Sequence, residues 1–277
     1  MSRGALVLIA TPIGNLGDLS PRAIEELARA DAIACEDTRR TGRLLKHAGI
    51  DAPRLLVVND HSEAGAARDI VLRIDGGQRV AVVTDAGTPG IADPGERLVR
   101  AVLDAGHAVE VVPGPAAAIA ALVTSGLPAG RFCFEGFLPR KGAGRAERLA
   151  SLATERRTIV VYEAPHRIVR TLTDLAEAFG GDRRVSISRE LTKLHEETWR
   201  GTLADSVAWA EAGVKGEMVI VVDGCPEGDA ASDSDIADAL RDALAAGAST
   251  RDAAMAVAGD LGVARRRVYE LATRLRG

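Results

Sequence analysis

The sequence predicts an α/β protein of two domains, the first built on a mainly parallel sheet, followed by a small helical domain. Three observations carry this expectation. Over the first hundred residues, short apolar runs alternate with amphipathic stretches, the pattern of a parallel sheet covered by helices. A hinge-like Gly126-Leu-Pro-Ala-Gly130 then precedes a second set of apolar runs. The acidic stretch Asp223–Asp233 reads as a linker, and the tail beyond it has no strand pattern. The expected domains are therefore 1–125, 126–223 and 224–277.

The elements follow in order. Leu6–Ala10 reads as a buried strand, and Ser20 with Pro21 marks a helix start, because proline suits the first helical position. Ala32–Cys35 is a second strand, Thr38–Ala48 a helix closed by Gly49, and Leu55–Val58 a third strand. A helix over Glu63–Ile74 leads to the strand Val80–Thr84, followed by the helix Glu96–Asp104 and the strand Val109–Val112. Pro113-Gly-Pro115 opens an alanine-rich helix ending at Ser125. Second-domain strands are expected at Phe132–Phe137, Thr158–Tyr162, Arg184–Ser188, Glu197–Gly201 and Met218–Val222. Three tail helices are expected at Ser234–Ala246, Thr250–Asp260 and Ala264–Leu275.

With 277 residues, 47% of them hydrophobic and 27% charged, the chain can bury substantial cores. No apolar run approaches the roughly 18 residues of a membrane span, so no membrane association is expected. The start, Met1-Ser-Arg-Gly4, runs directly into a strand and is too short for a signal peptide. Three scattered cysteines, Cys35, Cys133 and Cys225, have neither metal nor disulfide spacing, so no metal is expected and a reducing cytoplasm is the expected compartment.

The net charge of −4 hides an asymmetry. Arg131–Arg170 carries nine Lys/Arg against four Glu, and Ala264–Gly277 carries five Arg against Glu270. Patches of this kind can steer a polyanion while the total charge stays negative.

The run Val80-Ala-Val-Val-Thr-Asp-Ala-Gly-Thr-Pro-Gly-Ile-Ala-Asp-Pro-Gly95 is an apolar strand followed by two Gly/Pro turns, each led by an aspartate. Loops at the carboxyl ends of buried strands are where open α/β sheets bind ligands, and glycine lets a ligand approach the backbone. Thr11–Ser20 is a second such loop. Neither a G-x-G-x-x-G dinucleotide fingerprint nor a G-x-x-x-x-G-K-[ST] phosphate loop occurs, which argues against the common nucleotide cofactors. Asp85 and Asp93 are read as braces of the two turns.

The ordered set Thr11-Pro-Ile-Gly-Asn-Leu-Gly-Asp-Leu-Ser20, Cys35-Glu-Asp-Thr-Arg39, Asp85-Ala-Gly-Thr-Pro89 with Asp93-Pro-Gly95, Phe134-Glu-Gly-Phe-Leu-Pro-Arg-Lys141, Tyr162-Glu-Ala-Pro-His-Arg167 and Arg189-Glu-Leu-Thr-Lys193 spans both α/β domains. It resembles the 16S ribosomal RNA cytidine 2′-O-methyltransferases of the tetrapyrrole methylase superfamily. The resemblance implies a two-domain tetrapyrrole-methylase-like fold and a homodimer that uses S-adenosylmethionine, held in the cleft between its domains. It also implies a target, the ribose of a cytidine in the decoding region of 16S rRNA in the small ribosomal subunit. Carried over by position, cofactor contacts fall on Pro12, Ala86, Thr88, Ile91, Ala116, Ala117, Tyr162, Glu163 and Leu191. A small polar residue or cysteine is usual near Ala116, and alanine leaves only main-chain groups there.

A sulfonium methyl is already activated, so transfer depends on alignment, aided by an acceptor for the hydroxyl proton. Four candidates for that acceptor are Glu36, Asp37, Glu163 and His166, and the sequence does not choose among them. Asp37 equally suits a helix N-cap. For RNA, Arg39 and Arg167 offer phosphate-binding forks, and the basic loop Phe137–Arg145 offers Arg140, Lys141 and Arg145. With 3% aromatic residues, base-stacking platforms are not expected to dominate. Ser249–Tyr269 has helix-turn-helix phrasing, with Gly262-Val263 at the turn and Arg265–Arg267 opening the second helix. Two other readings stay open: methylation of a tetrapyrrole or a protein side chain, and a non-catalytic regulator sensing a nucleotide-like ligand.

Overall fold

A computed structural model describes residues 4–58, 63–226, 233–261 and 265–274, with only the backbone at 64 and 265–267. Met1–Arg3, most of the acidic linker and the Gly262-Val263 turn lie outside the described residues. The chain forms two compact units, one ending at Gly224 and one beginning at Cys225.

The first unit holds two five-stranded sheets. Its N-terminal half alternates β1 (Ala5–Ile9), α1 (Pro21–Arg29), β2 (Ala32–Cys35), α2 (Thr38–His47), β3 (Arg54–Val57), α3 (Glu63–Asp75), β4 (Arg79–Val82), α4 (Glu96–Asp104) and β5 (Ala108–Val112). The strands are ordered β3-β2-β4-β1-β5 and every pairing is parallel. Apolar side chains cover both faces, as a sheet sandwiched by helices requires: Ile9, Leu27, Ile33 and Leu45 on one, Leu6, Ile70, Val80 and Leu98 on the other. The strands match expectation to within two residues. β4 ends at Val82 rather than Thr84, because the chain turns there to form the Asp85 loop.

The second half runs α5 (Ala117–Ser125), β6 (Phe132–Phe137), α6 (Ala143–Ala153), β7 (Thr158–Glu163), α7 (Ile168–Phe179), β8 (Arg184–Arg189), β9 (Glu197–Thr202), α8 (Leu203–Glu211) and β10 (Met218–Val222). Its sheet, β6-β7-β10-β8-β9, pairs β6 with β7 in parallel and the other neighbours antiparallel. Helix α5 buries Ala118, Ala121 and Leu122 against Val160, Val219 and Val221 of this sheet. Leu172, Leu175 and Phe179 of α7 fill the opposite face, each contributing about 1.5–3 kcal/mol of burial.

One expectation is corrected here. The stretch Phe137–Arg145 is not loop throughout: α6 starts at Ala143, and only 138–142 connect it to β6.

The second unit is a cluster of three helices, α9 (Asp233–Ala245), α10 (Thr250–Asp260) and α11 (Arg265–Arg274). Ser249 caps α10 by accepting from the Asp252 N–H. Ala253, Ala254 and Ala258 let α10 approach Ile236, Leu240 and Val268 closely. No described helix is long and apolar enough to cross a membrane.

Candidate functional site

The loops after β1, β2, β4 and β5 emerge at one carboxyl edge of the parallel sheet and are cross-tied there. Thr11 and Gly87 exchange backbone hydrogen bonds (N to O 2.8 and 3.1 Å), and the Thr11 hydroxyl donates to the Thr84 carbonyl. The Thr88 hydroxyl donates to the Pro115 carbonyl at 3.3 Å. Gly87 and Gly90 adopt φ values of 84° and 83°, which the tight turns require of glycine. The second turn is held from elsewhere: the buried Glu63 carboxylate accepts from the N–H groups of Gly95 and Arg97. Asp85 braces across the sheet, accepting from the Asp37 N–H at 3.2 Å and pairing with Arg40 at 3.3 Å.

The opposing wall comes from the second sheet: the end of β7, the turn after β8 and the start of β10. Two residues of the β8 turn, Glu190 (φ 50°) and Thr192 (φ 64°), are left-handed, with Leu191 between them. A β-branched threonine pays roughly 1–3 kcal/mol for such a conformation, and strain of this kind concentrates at ligand sites. The turn meets the β1 loop directly: the Asn15 N–H donates to Thr192 Oγ1 at 3.1 Å.

Between these walls lies a cleft of about 450 Å³, within the range of small-molecule sites. Of the residues assigned to the cofactor, Ala86, Thr88, Ile91, Ala116, Ala117, Tyr162, Glu163 and Leu191 line it. Pro12 does not; it is buried, and its neighbour Ile13 faces the cleft instead. Arg40, Phe137 and Glu217, none of them assigned to the cofactor from the sequence, also line the cleft. The phase of α2, the end of β6 and the approach to β10 put them there, and of the three only Phe137 lies within a sequence motif.

Tyr162 has a second duty. Ala116 is the N-cap of α5 and has no side chain able to cap it. The Tyr162 hydroxyl takes that place, accepting from the Ala118 N–H at 3.1 Å. Burial pushes this phenol above its ordinary pKa, against the lowering effect of the Ala118 bond. Phe134 and Phe137 pack edge-on against the ring at 5.0 and 5.7 Å. Tyr162→Phe is expected to cost about 1 kcal/mol, as lost helix caps do, read as a lower melting temperature with unchanged circular dichroism. An unchanged melting temperature would show that the bond does not cap α5.

The proton-acceptor candidates separate clearly. Asp37 is the N-cap of α2 and does not line the cleft. Hydrogen bonds from the Arg39 side chain hold its carboxyl down at about 2, which makes it a weak base. His166 is exposed and outside the lining. Glu163 is a correction, because its carboxylate is wholly buried and engaged. Oε1 accepts from the Ala164 N–H and faces Arg167 at 3.2 Å, while Oε2 accepts from the Thr171 hydroxyl at 2.6 Å. Of the four candidates, Glu36 alone combines a place in the lining with partial exposure of the side chain's residue.

The basic residues also divide. Arg140 and Lys141 are exposed and make no ion pair among the described residues. Arg39 is exposed beside Asp37. Arg145 is a correction: it is buried, and its guanidinium donates to Asp174, the Pro139 carbonyl and Thr171 at 2.7–3.0 Å. Entry into α6 turns it inward, so no fork remains for a phosphate. Arg167 is largely enclosed as well, facing Glu163 and donating to the Leu138 carbonyl. The two arginines thus anchor the short basic connection from beneath. Among the described residues, no group of three or more His, Cys, Asp or Glu is placed to hold a metal ion.

Comparison with known proteins agrees with this architecture. Residues 5–207 match the family of tetrapyrrole (corrin/porphyrin) methylases. The chain is 46% identical over 275 residues to the ribosomal RNA small subunit methyltransferase I of Synechocystis, covering 98% of each chain. It is 47% identical over 273 residues to the protein of that name from Mycobacterium bovis, covering 98% of this chain and 95% of the relative. The crystal structure of uroporphyrin-III-C-methyltransferase from Thermus thermophilus superposes with a TM-score of 0.58 at 21% identity, covering 79% of this chain and 94% of that one. That likeness speaks for the fold alone. By its sequence relatives and its cleft-forming pair of sheets, the chain belongs to the tetrapyrrole methylases and, within them, to the ribosomal RNA small subunit methyltransferase I family.

Proposed function

We propose that this protein methylates the ribose 2′-hydroxyl of a cytidine in 16S rRNA, with S-adenosylmethionine as donor. The observation that carries the reading is the near full-length identity to the small-subunit methyltransferases, combined with a cleft lined by eight of the nine residues assigned to the donor. S-adenosylmethionine supplies a methyl group that is already electrophilic. The chain's own contribution is therefore placement. Ala86, Thr88 and the backbone at Ala116–Ala117 would hold the donor against the parallel sheet, and Ile91, Phe137 and Tyr162 would limit water. Glu36, at the end of β2, is the carboxylate best placed to accept the hydroxyl proton.

The rim supports an RNA target more than a small tetrapyrrole. Arg140 and Lys141 stand exposed on a connection that starts at Phe137, a cleft residue, and can meet phosphates. We also assign the active form as a homodimer, for which light scattering should give twice the chain mass; a monomeric mass overturns that part.

The direct experiment offers radiolabelled S-adenosylmethionine and small subunits lacking the modification. Label is expected on a cytidine ribose of 16S rRNA. Label in a corrin precursor or in protein would overturn the target. Donor binding without transfer to any of these would favour the regulator reading instead.

A further inference from the structure

The cleft is an unexpected surface for a polyanion. Its lining carries six Asp or Glu side chains against two cations, Arg40 and Lys193. Glu163 is compensated by Arg167, which lies outside the lining, so the acidic excess is smaller than this count, and the two lining cations are where an RNA phosphate finds attraction.

The two are not equivalent. Lys193 is held by two carboxylates, with Nζ 3.0 Å from Glu190 and 3.5 Å from Glu217. Arg40 is 55% exposed and meets one carboxylate, Asp85, through Nε at 3.3 Å. Its two terminal nitrogens have no protein partner among the described residues. Asp85 is itself fixed, because its other oxygen accepts from the Asp37 N–H. Among the described residues the result is a guanidinium tethered at one edge with its fork open, the shape that suits a phosphate bidentately.

Its location fits the same chemistry. Arg40 lies in the first turn of the ten-residue helix α2, where the helix dipole favours an anion. Glu36, the proposed proton acceptor, precedes that helix by two residues and lines the same wall.

Resting on the function proposed above, we infer that Arg40 receives an RNA phosphate beside the target ribose, with Asp85 as its positioning residue. The other lining cation, Lys193, is already held by Glu190 and Glu217, so Arg40 is the cation of the lining that can receive this phosphate. Arg40 thereby sets which sugar reaches the donor.

The test compares the wild type with Arg40→Ala and Arg40→Lys, using unmodified small subunits across a salt series and S-adenosylmethionine alone by calorimetry. Arg40→Ala should weaken subunit binding about tenfold, as loss of a charged hydrogen bond does, and flatten the log–log salt dependence by about one unit. Arg40→Lys should restore the slope but not the full affinity, because it keeps the charge and loses the fork. Donor affinity should stay unchanged in both, which also reports that the variants are folded. A raised donor Kd with an unchanged salt slope would overturn the inference and place Arg40 on the donor's carboxylate. Unchanged values for both would leave it only a partner of Asp85. If the wild type transfers no methyl group to RNA, the functional reading fails first, and that outcome is separate from these.

Discussion

Glu163→Ala is expected to destabilise the first unit by about 3 kcal/mol, since removing one member of a buried ion pair leaves the other uncompensated. Arg167 would lose the carboxylate 3.2 Å away, and Thr171 would lose the acceptor of its 2.6 Å hydrogen bond. For a unit of this size the melting temperature should fall by roughly 6–12 °C. The effect should reach beyond stability. Thr171 also accepts from Arg145, and Arg145 and Arg167 hold the carbonyls of Pro139 and Leu138. Releasing Glu163 therefore loosens the connection that presents Arg140 and Lys141. Trypsin cleaves after these residues, so faster cleavage there at a temperature where the variant remains folded is the specific readout. A lower melting temperature with unchanged cleavage would limit Glu163 to core stability.

Gly14→Val is expected to reduce kcat/KM on the order of a hundredfold, the size of effect that a misplacement near 1 Å produces. A Cβ at Gly14 would lie 2.5 Å from Lys193 Cγ, 2.7 Å from Thr192 Oγ1 and 2.8 Å from the Leu191 carbonyl oxygen. The lysine side chain can move aside, but the carbonyl belongs to a turn whose flanking residues are already left-handed. The β1 loop and the β8 turn must then separate, breaking the Asn15–Thr192 hydrogen bond. Ile13 and Leu191, which both line the cleft and belong to one apolar cluster, move apart with them. Calorimetry should show weakened donor binding while the melting temperature changes little, because Gly14 itself is exposed. Normal donor affinity would mean that this close approach is not needed to form the site.

The contrast between these two positions shows what a sequence can disclose. Parallel strands buried on both faces must be continuously apolar, so β1, β2 and β4 stand out as short runs. Helix starts are equally visible, because a cap acts on its own neighbours: Ser20 accepts from the Ala23 N–H and Asp37 from the Arg39 N–H. Gly14, Glu163 and Leu191 could be picked out within motifs. Their partners could not, since Gly14 meets residues about 180 positions away and Glu163 is tied to the following helix and, through Thr171, to α6.

The basic run Arg140–Arg145 makes the same point. In the sequence its cations look interchangeable. In the fold, α6 begins between them, leaving Arg140 and Lys141 outside and turning Arg145 towards Asp174. Arg39 and Arg40 are adjacent in the chain, yet the turn of α2 leaves the first against its own cap and places the second in the cleft. Ala116 seemed to lack a polar group, and the structure supplies one from Tyr162, on β7 of the second sheet.

Local physics thus settled which segments are strands and helices, and the order of the motifs pointed to the family, since periodicity, caps and turn residues act over a few positions. Which charged side chain faces solvent, which is buried and which opens into the cleft was decided only by tertiary structure. Burial and ion pairing depend on elements brought together from distant parts of the chain, and a charge has no fixed role until its surroundings are in place.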